Sequence, residues 1–223
     1  MKSLILIPAY NCSLTIRGIL SKIKKLGLDA VVVDDGSADG TGDIARSMGA
    51  TVLRHEKKAG KGTSMKDGFN YILRNTPCEC VIAMDGDGQH NPEEIKKFLE
   101  RGASGNEGIV AGNRMASSGA MPFLRKLTNR FMSLFLSVLC WQWIADTQCG
   151  FRLIKRSCLQ EITINSKNYD VESEILIKAS RKGYKIASIP IETIYKGETS
   201  YINPLVDTFR FFGLLARIYF GKK

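Results

Sequence analysis

Four times in its first hundred residues the chain repeats one pattern: a short apolar stretch, a loop bearing Asp or Gly, then residues with helical apolar spacing. The apolar stretches are Leu4–Ile7, stopped by Pro8, then Ala30–Val33, Thr51–Leu53 and Val81–Met84. Between them Ser13 can cap a helix that buries Ile16, Ile19, Leu20, Ile23 and Leu26 and ends at Gly27. Asp39-Gly40-Thr41 leads into a short helix ending near Gly49, and Thr63–Arg74 sets Met65, Phe69, Ile72 and Leu73 on one face. Asn91-Pro92-Glu93-Glu94 opens a fourth helix, with Asn91 as N-cap, Pro92 first and acids in the first turn; Gly102 stops it. Alternating strands and helices bury their apolar faces as a largely parallel sheet with helices on both sides. Such sheets bind ligands beyond the carboxyl ends of the strands. The loops there carry Tyr10, Asp35, Lys61 and the pair Asp85/Asp87, along one edge where a nucleotide is expected.

The pair is the sharpest of these features. Val81–Met84 reads as a buried strand and runs into Asp85-Gly86-Asp87. In extended backbone, residues two apart point to one side, so both carboxylates can face one point while Gly86 lets the backbone approach it. Like charges need a reason to converge. A hard cation such as Mg²⁺ or Mn²⁺ supplies one, since it takes oxygen ligands and keeps positions for substrate phosphates. The other reading is a solvated Asp-Gly turn. His90 beside the pair is read as a turn residue rather than a ligand. With His55 it completes the histidines, too few for a zinc site built on several.

The 223 residues suit one α/β domain, and a net charge of +10 calls for an anionic partner: phosphate-bearing substrates, nucleic acid or an anionic membrane. No basic motif interleaved with aromatics supports nucleic acid. The six cysteines form no CxxC pair and read as reduced, mostly buried thiols of a cytosolic protein. The N-terminus is too short for a signal peptide and is read as the first strand.

The second half changes character. Gly108–Ala111 is a strand leading to Gly112-Asn113-Arg114, and a Gly/Ser loop spans Ser117–Ala120. Phe123–Ile144 reads as one long helical segment, basic at its start (Arg125, Lys126, Arg130) and apolar later, with Trp141 and Trp143. Its uncharged run, Phe131–Ala145, is 15 residues, short of the roughly 20 that span a bilayer. It suits a helix lying in a membrane interface or, equally, a buried core helix. Asp146–Arg152 follows as loop and strand, Asp170–Lys182 as a helix ended by Gly183, and Lys185–Ile191 as a strand. From Asn203 to Phe220 the tail mixes Phe209, Phe211, Phe212, Tyr219 and Phe220 with Arg210, Arg217, Lys222 and Lys223, again an interfacial composition.

Singly, the remaining motifs are weak. Asp35 ends a strand where it could accept hydrogen bonds from a base. Gly60-Lys61-Gly62 resembles a piece of a phosphate loop but is not a Walker A motif, and no GxGxxG opens a helix. Their order is more specific: Pro8-Ala-Tyr-Asn11, Val33-Asp-Asp-Gly-Ser37 with Asp39-Gly-Thr41, Gly60-Lys-Gly62, Met84-Asp-Gly-Asp-Gly-Gln-His-Asn-Pro92, Gly112-Asn-Arg114, Asp146-Thr-Gln-Cys-Gly-Phe-Arg152. Over residues 3 to 205 this set resembles the family 2 glycosyltransferases of GT-A fold. It is most similar to the branch of dolichyl-phosphate mannosyltransferases and polyprenyl-phosphate glucosyltransferases.

The resemblance implies a GT-A domain over 1–205, with a nucleotide-binding half (1–112), an acceptor half (113–205) and an amphipathic C-terminal helix (206–223). It implies Pro8, Tyr10, Val33 and Asp35 at the base and ribose, and Lys61 and Gly86 along the nucleotide-sugar. Asp85 and Asp87 match the DxD pair, with Gln89 a third position at an Mg²⁺ or Mn²⁺ ion. Arg114 would reach the donor or acceptor phosphates, Arg130 and Arg152 the acceptor phosphate, and Asp146 would act as base or orient the acceptor. Two positions depart from the pattern: Cys12 stands where the family often has Glu, and Ser200-Tyr201 where the branch often has Ser-Lys, with Lys196 as a substitute. The expectation is an inverting transfer from a nucleotide-sugar of GDP-mannose or UDP-glucose type to a polyprenyl or dolichyl phosphate. It would occur on the cytoplasmic face of a membrane, with a small membrane-spanning partner subunit left open. A family 2 transferase acting on a saccharide or protein hydroxyl is the alternative, and a nucleotide-sugar-binding scaffold the non-catalytic one.

Overall fold

The computed structural model describes residues 1–115 and 123–192, with residues 194, 213 and 215. Among them seven strands form one sheet in the order β3-β2-β1-β4-β6-β5-β7. They are β1 (Ser3–Ala9), β2 (Asp29–Asp34), β3 (Thr51–Arg54), β4 (Cys80–Ala83), β5 (Ile109–Asn113), β6 (Arg152–Lys155) and β7 (Ile186–Pro190). All run parallel except β6, which lies antiparallel to both its neighbours, β4 and β5. The alternating first half thus gives the parallel sheet it predicts. The inserted β6 joins the two halves into one sheet.

Residue alternation along the central strands sorts the core into two layers. Leu6, Val31 and Val33 face one side with Met65, Phe69 and Ile72 of α3 (Lys61–Asn75), Leu136 of α5 (Phe123–Cys140) and Ile175 of α7 (Val171–Arg181). Ile5, Ile7 and Val32 face the other with Ile16, Ile19 and Ile23 of α1 (Ser13–Lys25), Ala45 of α2 (Thr41–Ser47), and Ile95 and Phe98 of α4 (Ile95–Ser104).

Several boundaries differ from the sequence reading. β1 continues through Pro8, paired with Val33. Met84 N–H donates to the Leu6 carbonyl, so Leu6 faces β4; Pro8, two residues on, faces the same way past the last β4 pairing at Ala83, where no strand N–H is needed. Ser13 is not the cap of α1. Cys12 holds that position, and the Asp39 carboxylate accepts from the Ser13 N–H at 2.9 Å while also accepting from Thr41 N–H at the start of α2. Asn91 does cap, accepting from Glu93 N–H, but Pro92–Glu94 forms a 3₁₀ turn before α4 begins. Gly102 does not end α4. It packs closely on β6, where a Cβ would lie 2.9 Å from Leu153. α5 ends at Cys140, short of Ile144. Trp141 takes a left-handed φ of 52°, with Trp141 N–H on Val138 O and Gln142 N–H on Ser137 O, a Schellman closure without glycine. The short helix α6 (Arg156–Glu161) was not foreseen.

The Gly/Ser loop over Ser117–Ala120 lies outside the described residues, as do Lys196, Ser200-Tyr201 and the tail aromatics. Of the tail, Gly213 and Leu215 are described as helical, and Leu215 packs against the α5–α7 side of the core. All six cysteines are free thiols, five of them buried. No helix among the described residues is long and apolar enough to cross a membrane.

Candidate active site

The carboxyl ends of β1, β2 and β4 form a corner that the sequence builds from turns. Asp35 N–H donates to Ala9 O at 2.8 Å, so the β2 loop folds back onto the end of β1. Asn11, at φ 52°, donates its N–H to Ser37 Oγ and accepts from Ala38 N–H, closing the same junction. Thr15 Oγ donates to Gly86 O at 2.5 Å and ties the β4 turn to α1. A Cβ on Gly86 would lie 3.2 Å from Cys12 Sγ and 3.4 Å from Pro8 O, so glycine is what lets the turn sit this close. Burial pushes the Cys12 thiol up to about 11, so it is neutral beside Asp85 and Asp87, where a glutamate would add a third negative charge.

Asp35 is buried, and its carboxylate is engaged by the basic loop. Oδ1 lies 2.8 Å from His55 Nδ1 and accepts from Ala59 N–H, and Oδ2 accepts from Gly60 N–H. Tyr10 is partly exposed, with the Lys58 ammonium 3.9 Å above its ring. The Gly-Lys-Gly segment is not a phosphate cradle. Gly62 N–H, at the start of α3, donates to Lys167 O at 2.9 Å. A Cβ on Gly60 or Gly62 would come within 2.3 Å of the carbonyls of Lys167 and Ser166 respectively. The two glycines dock this backbone flat against residues 166–168, and that docking aims Lys61 inward.

There Lys61 meets two carboxylates, Asp85 Oδ1 at 2.5 Å and Glu172 Oε1 at 2.6 Å. Burial opposes charge on Lys61, but Asp85 and Glu172 outweigh it and hold its pKa above the ordinary lysine range. Burial likewise opposes ionisation of Asp85, but the ammonium outweighs it and holds the carboxyl down at about 2. Gly150 covers the pair; its Cβ would fall 2.7 Å from Asp85 Oδ2 and 3.0 Å from Lys61 Nζ. His90 Nδ1 accepts from Asp85 N–H at 3.3 Å, and the ring stacks on Phe151. Burial pushes its pKa down to about 4, so it is a neutral, structural turn residue.

Across this corner Arg114 grips Asp146. Nε donates to Oδ2 at 2.7 Å and a terminal nitrogen to Oδ1 at 3.0 Å, while the Arg114 and Gln148 backbone N–H groups complete the shell. Asp146 is fully buried; burial would raise its pKa, but the guanidinium outweighs it and keeps the carboxyl below the usual range. α5 holds this loop from behind: Thr147 N–H donates to Ser133 Oγ and Ile144 N–H to Ser137 Oγ.

Arg152 does not stand at a phosphate. It is 1% exposed and donates to the carbonyls of Cys149, Thr147 and Glu172, binding the Asp146 loop to the start of α7. Arg130 is exposed on the outer face of α5 beside Phe131. Sequence reasoning missed Glu172, because an acid in the first turn of a helix reads as a dipole partner; only the fold brings it to Lys61.

Among the described residues no group of three His, Cys, Asp or Glu side chains is arranged to enclose a metal. The β4 turn offers a smaller set: the carboxylates of Asp85 and Asp87 and the amide oxygen of Gln89, all partly accessible. This all-oxygen set fits a hard divalent ion that keeps positions for phosphate oxygens.

A mostly parallel sheet with an acidic turn at the end of β4 is the arrangement of the GT-A fold. The family model for glycosyl transferase family 2 matches residues 4–163. The chain belongs to that family and is a glycosyltransferase. An uncharacterized protein of Methanocaldococcus jannaschii, MJ0544, is 34% identical over 88% of this chain and 90% of its own. The UDP-N-acetylglucosamine–dolichyl-phosphate N-acetylglucosaminyltransferase of Methanococcus voltae is 26% identical, covering 86% and 85%. The polyprenol monophosphomannose synthase of Mycolicibacterium smegmatis is 28% identical, covering 85% and 76%. Glucosyl-3-phosphoglycerate synthase of Mycobacterium tuberculosis, solved with Mn²⁺, UDP and phosphoglyceric acid, shares the fold at TM-score 0.73 and 18% identity, over 96% of this chain and 77% of that one.

Proposed function

We propose that this enzyme moves a sugar from a nucleotide-sugar to a polyprenyl phosphate at a membrane surface, with a divalent cation held by Asp85, Asp87 and Gln89. The observation that carries the reading is the acidic turn of β4 facing Arg114, with Asp146 locked behind it. The relatives named for polyprenyl or dolichyl phosphates cover most of this chain and support the acceptor class. When bound, the cation would neutralise charge growing on the departing diphosphate. Pro8, Tyr10 and Asp35 stand at the corner where base and ribose would lie, with Asp35 acting through the loop it fastens; Val33 is fully buried against α3 and lies beneath it. Arg114, oriented by Asp146, would hold the acceptor phosphate in line with the anomeric carbon.

A phosphate acceptor is already ionised near neutral pH and needs no strong base. That matches Asp146, whose carboxyl is buried, ionised and fully bonded. A saccharide hydroxyl would need a base within reach, and Asp146 is poorly built for it.

The outer face of α5 supports the membrane. Leu127, Phe131, Leu134 and Val138 form one stripe, each more than half exposed, and Trp141 and Trp143 beyond them are 94% and 72% exposed. Asn129, Ser133 and Ser137 are buried beneath. The inward face also carries Leu136 and Cys140 into the core, so the exposed apolar stripe is a second apolar face; on a chain of net charge +10 it suits a helix resting in an anionic bilayer surface. A membrane-spanning partner is no part of this reading.

The test is an assay with UDP-glucose, UDP-N-acetylglucosamine and GDP-mannose, dolichyl or undecaprenyl phosphate in vesicles, and Mg²⁺ or Mn²⁺. A glycolipid product is expected with one donor, and Asp87→Ala should lower its rate by about 10²–10³-fold. Transfer to a soluble glycoside but never to lipid phosphate would overturn the acceptor class.

A further inference from the structure

Lys61 holds one ammonium between two acids, and the second acid is not part of the turn. Glu172 stands at the start of α7, 6% exposed in its side chain, with its backbone carbonyl pinned by Arg152 at 2.6 Å. Its Oε1 is 2.6 Å from Lys61 Nζ, while its Oε2 is buried with no hydrogen-bond partner among the described residues. A buried carboxylate oxygen left without a donor is costly, and the Lys61 ammonium already bonds the other oxygen of the same carboxylate. Nζ has three hydrogens, and Asp85 and Glu172 account for two of them. The third side is bounded by the ring of Tyr169, 5.8 Å from Nζ, and Gly150 closes the top. The ammonium is confined to a short path between the two acids.

We propose that Glu172 is a positioning residue for the cation corner. It shares Lys61 with Asp85 so that the ammonium serves as the resting counter-ion of the acidic turn, and it takes the ammonium over, onto its unpartnered Oε2, when a divalent cation binds Asp85. The inference rests on the cation reading of Asp85 and Asp87. Without a second acid, a cation arriving at Asp85 would face an ammonium at hydrogen-bond distance with nowhere to go. With Glu172 the move is an exchange of partners in which no buried charge is left bare.

The test measures Mn²⁺ binding to the nucleotide-free protein by electron paramagnetic resonance of free Mn²⁺, with thermal unfolding as a check on folding. Glu172→Gln leaves the ammonium to Asp85 alone and should weaken Mn²⁺ binding about tenfold, as loss of an outer-shell partner does. Lys61→Met removes the competitor and should tighten binding. In the Lys61→Met background, Glu172→Gln should have no further effect, because Glu172 acts through the ammonium. A Glu172 that attracted the ion merely by its charge would weaken binding equally in both backgrounds, and that result overturns the proposal. If a single variant fails to fold, Glu172→Asp decides: it keeps the charge but shortens the reach to Nζ, so a plain charge effect leaves binding unchanged, whereas the exchange predicts weaker binding. Absence of Mn²⁺ binding by the wild type, with or without UDP or GDP, would sink the cation reading itself; binding that no variant shifts would sink only the role of Glu172.

Discussion

Two buried ion clusters flank the end of β4 and are built in opposite ways. At Asp146 one cation meets one anion, and both carboxylate oxygens are engaged by the Arg114 side chain and by backbone N–H groups. At Lys61 one ammonium meets two carboxylates, with the buried Arg152 guanidinium beside Glu172, and Glu172 Oε2 has no hydrogen-bond partner among the described residues. The first is closed and neutral, which suits a part that must hold one geometry. The second keeps an acceptor oxygen without a partner among the described residues, which suits a part whose cation must be able to change partners. Arg152 links them through the backbone, bonded to Thr147 O on one side and Glu172 O on the other.

The largest effect should come from the closed pair. Asp146→Asn leaves the Arg114 guanidinium buried without its charge partner, and the expected loss of unfolding free energy is about 3–5 kcal/mol. Glu172→Gln leaves Lys61 still paired to Asp85, so its loss should be about 1–3 kcal/mol. Urea unfolding of the two variants measures both. A larger loss for Glu172→Gln would reverse the assignment of rigid and exchangeable clusters.

A pH titration of stability sharpens the comparison next. His90 lies between the clusters, under the influence of Asp85, Arg114, Lys61 and Asp146. In the fold it stays neutral down to about 4, whereas the unfolded chain protonates it near 6.5. Between those values the unfolded state binds more protons, so stability rises with pH and is lost as pH falls, by at most about 3 kcal/mol. Asp85 acts in a separate window: its contribution is present above 3.8 and is lost only as pH falls toward about 2. His90→Gln, with metal absent, should flatten the upper window and leave the lower one. An unchanged slope between 6.5 and 4 would show that burial in the fold does not hold His90 neutral.

Much of this was legible in the chain, and the boundary of what was legible has a physical cause. The parallel half could be read because each strand and helix there buries its own apolar face, so local pattern and tertiary position agree. The acidic turn could be read because two carboxylates around one glycine are chemically conspicuous. The clusters could not. Lys61 meets Glu172, 111 positions on by the numbering, through backbone docking of Gly60 and Gly62 that no periodicity encodes. The resemblance put Arg152 at the acceptor phosphate; here β6 runs backwards between β4 and β5 and carries it inside. The length of α5 was overread because nothing in Trp141 announces a left-handed residue.

A pair of glycine substitutions separates the open cluster from general packing, with the smallest expected effects. A methyl group on Gly150 would meet Asp85 Oδ2 at 2.7 Å and Lys61 Nζ at 3.0 Å. Gly150→Ala should therefore cost about 1–3 kcal/mol of stability as an overpacked site. Because the atoms displaced belong to the Asp85–Lys61 pair, it should also change Mn²⁺ affinity. Gly18 lies on the exposed side of α1 with nothing within 4 Å of its would-be Cβ. Gly18→Ala should raise stability by about 0.5–1 kcal/mol through helix propensity and leave Mn²⁺ affinity alone. If Gly150→Ala destabilises the protein with no change in Mn²⁺ binding, the cover over the open cluster is only packing, and the contrast between the two clusters loses its link to the cation.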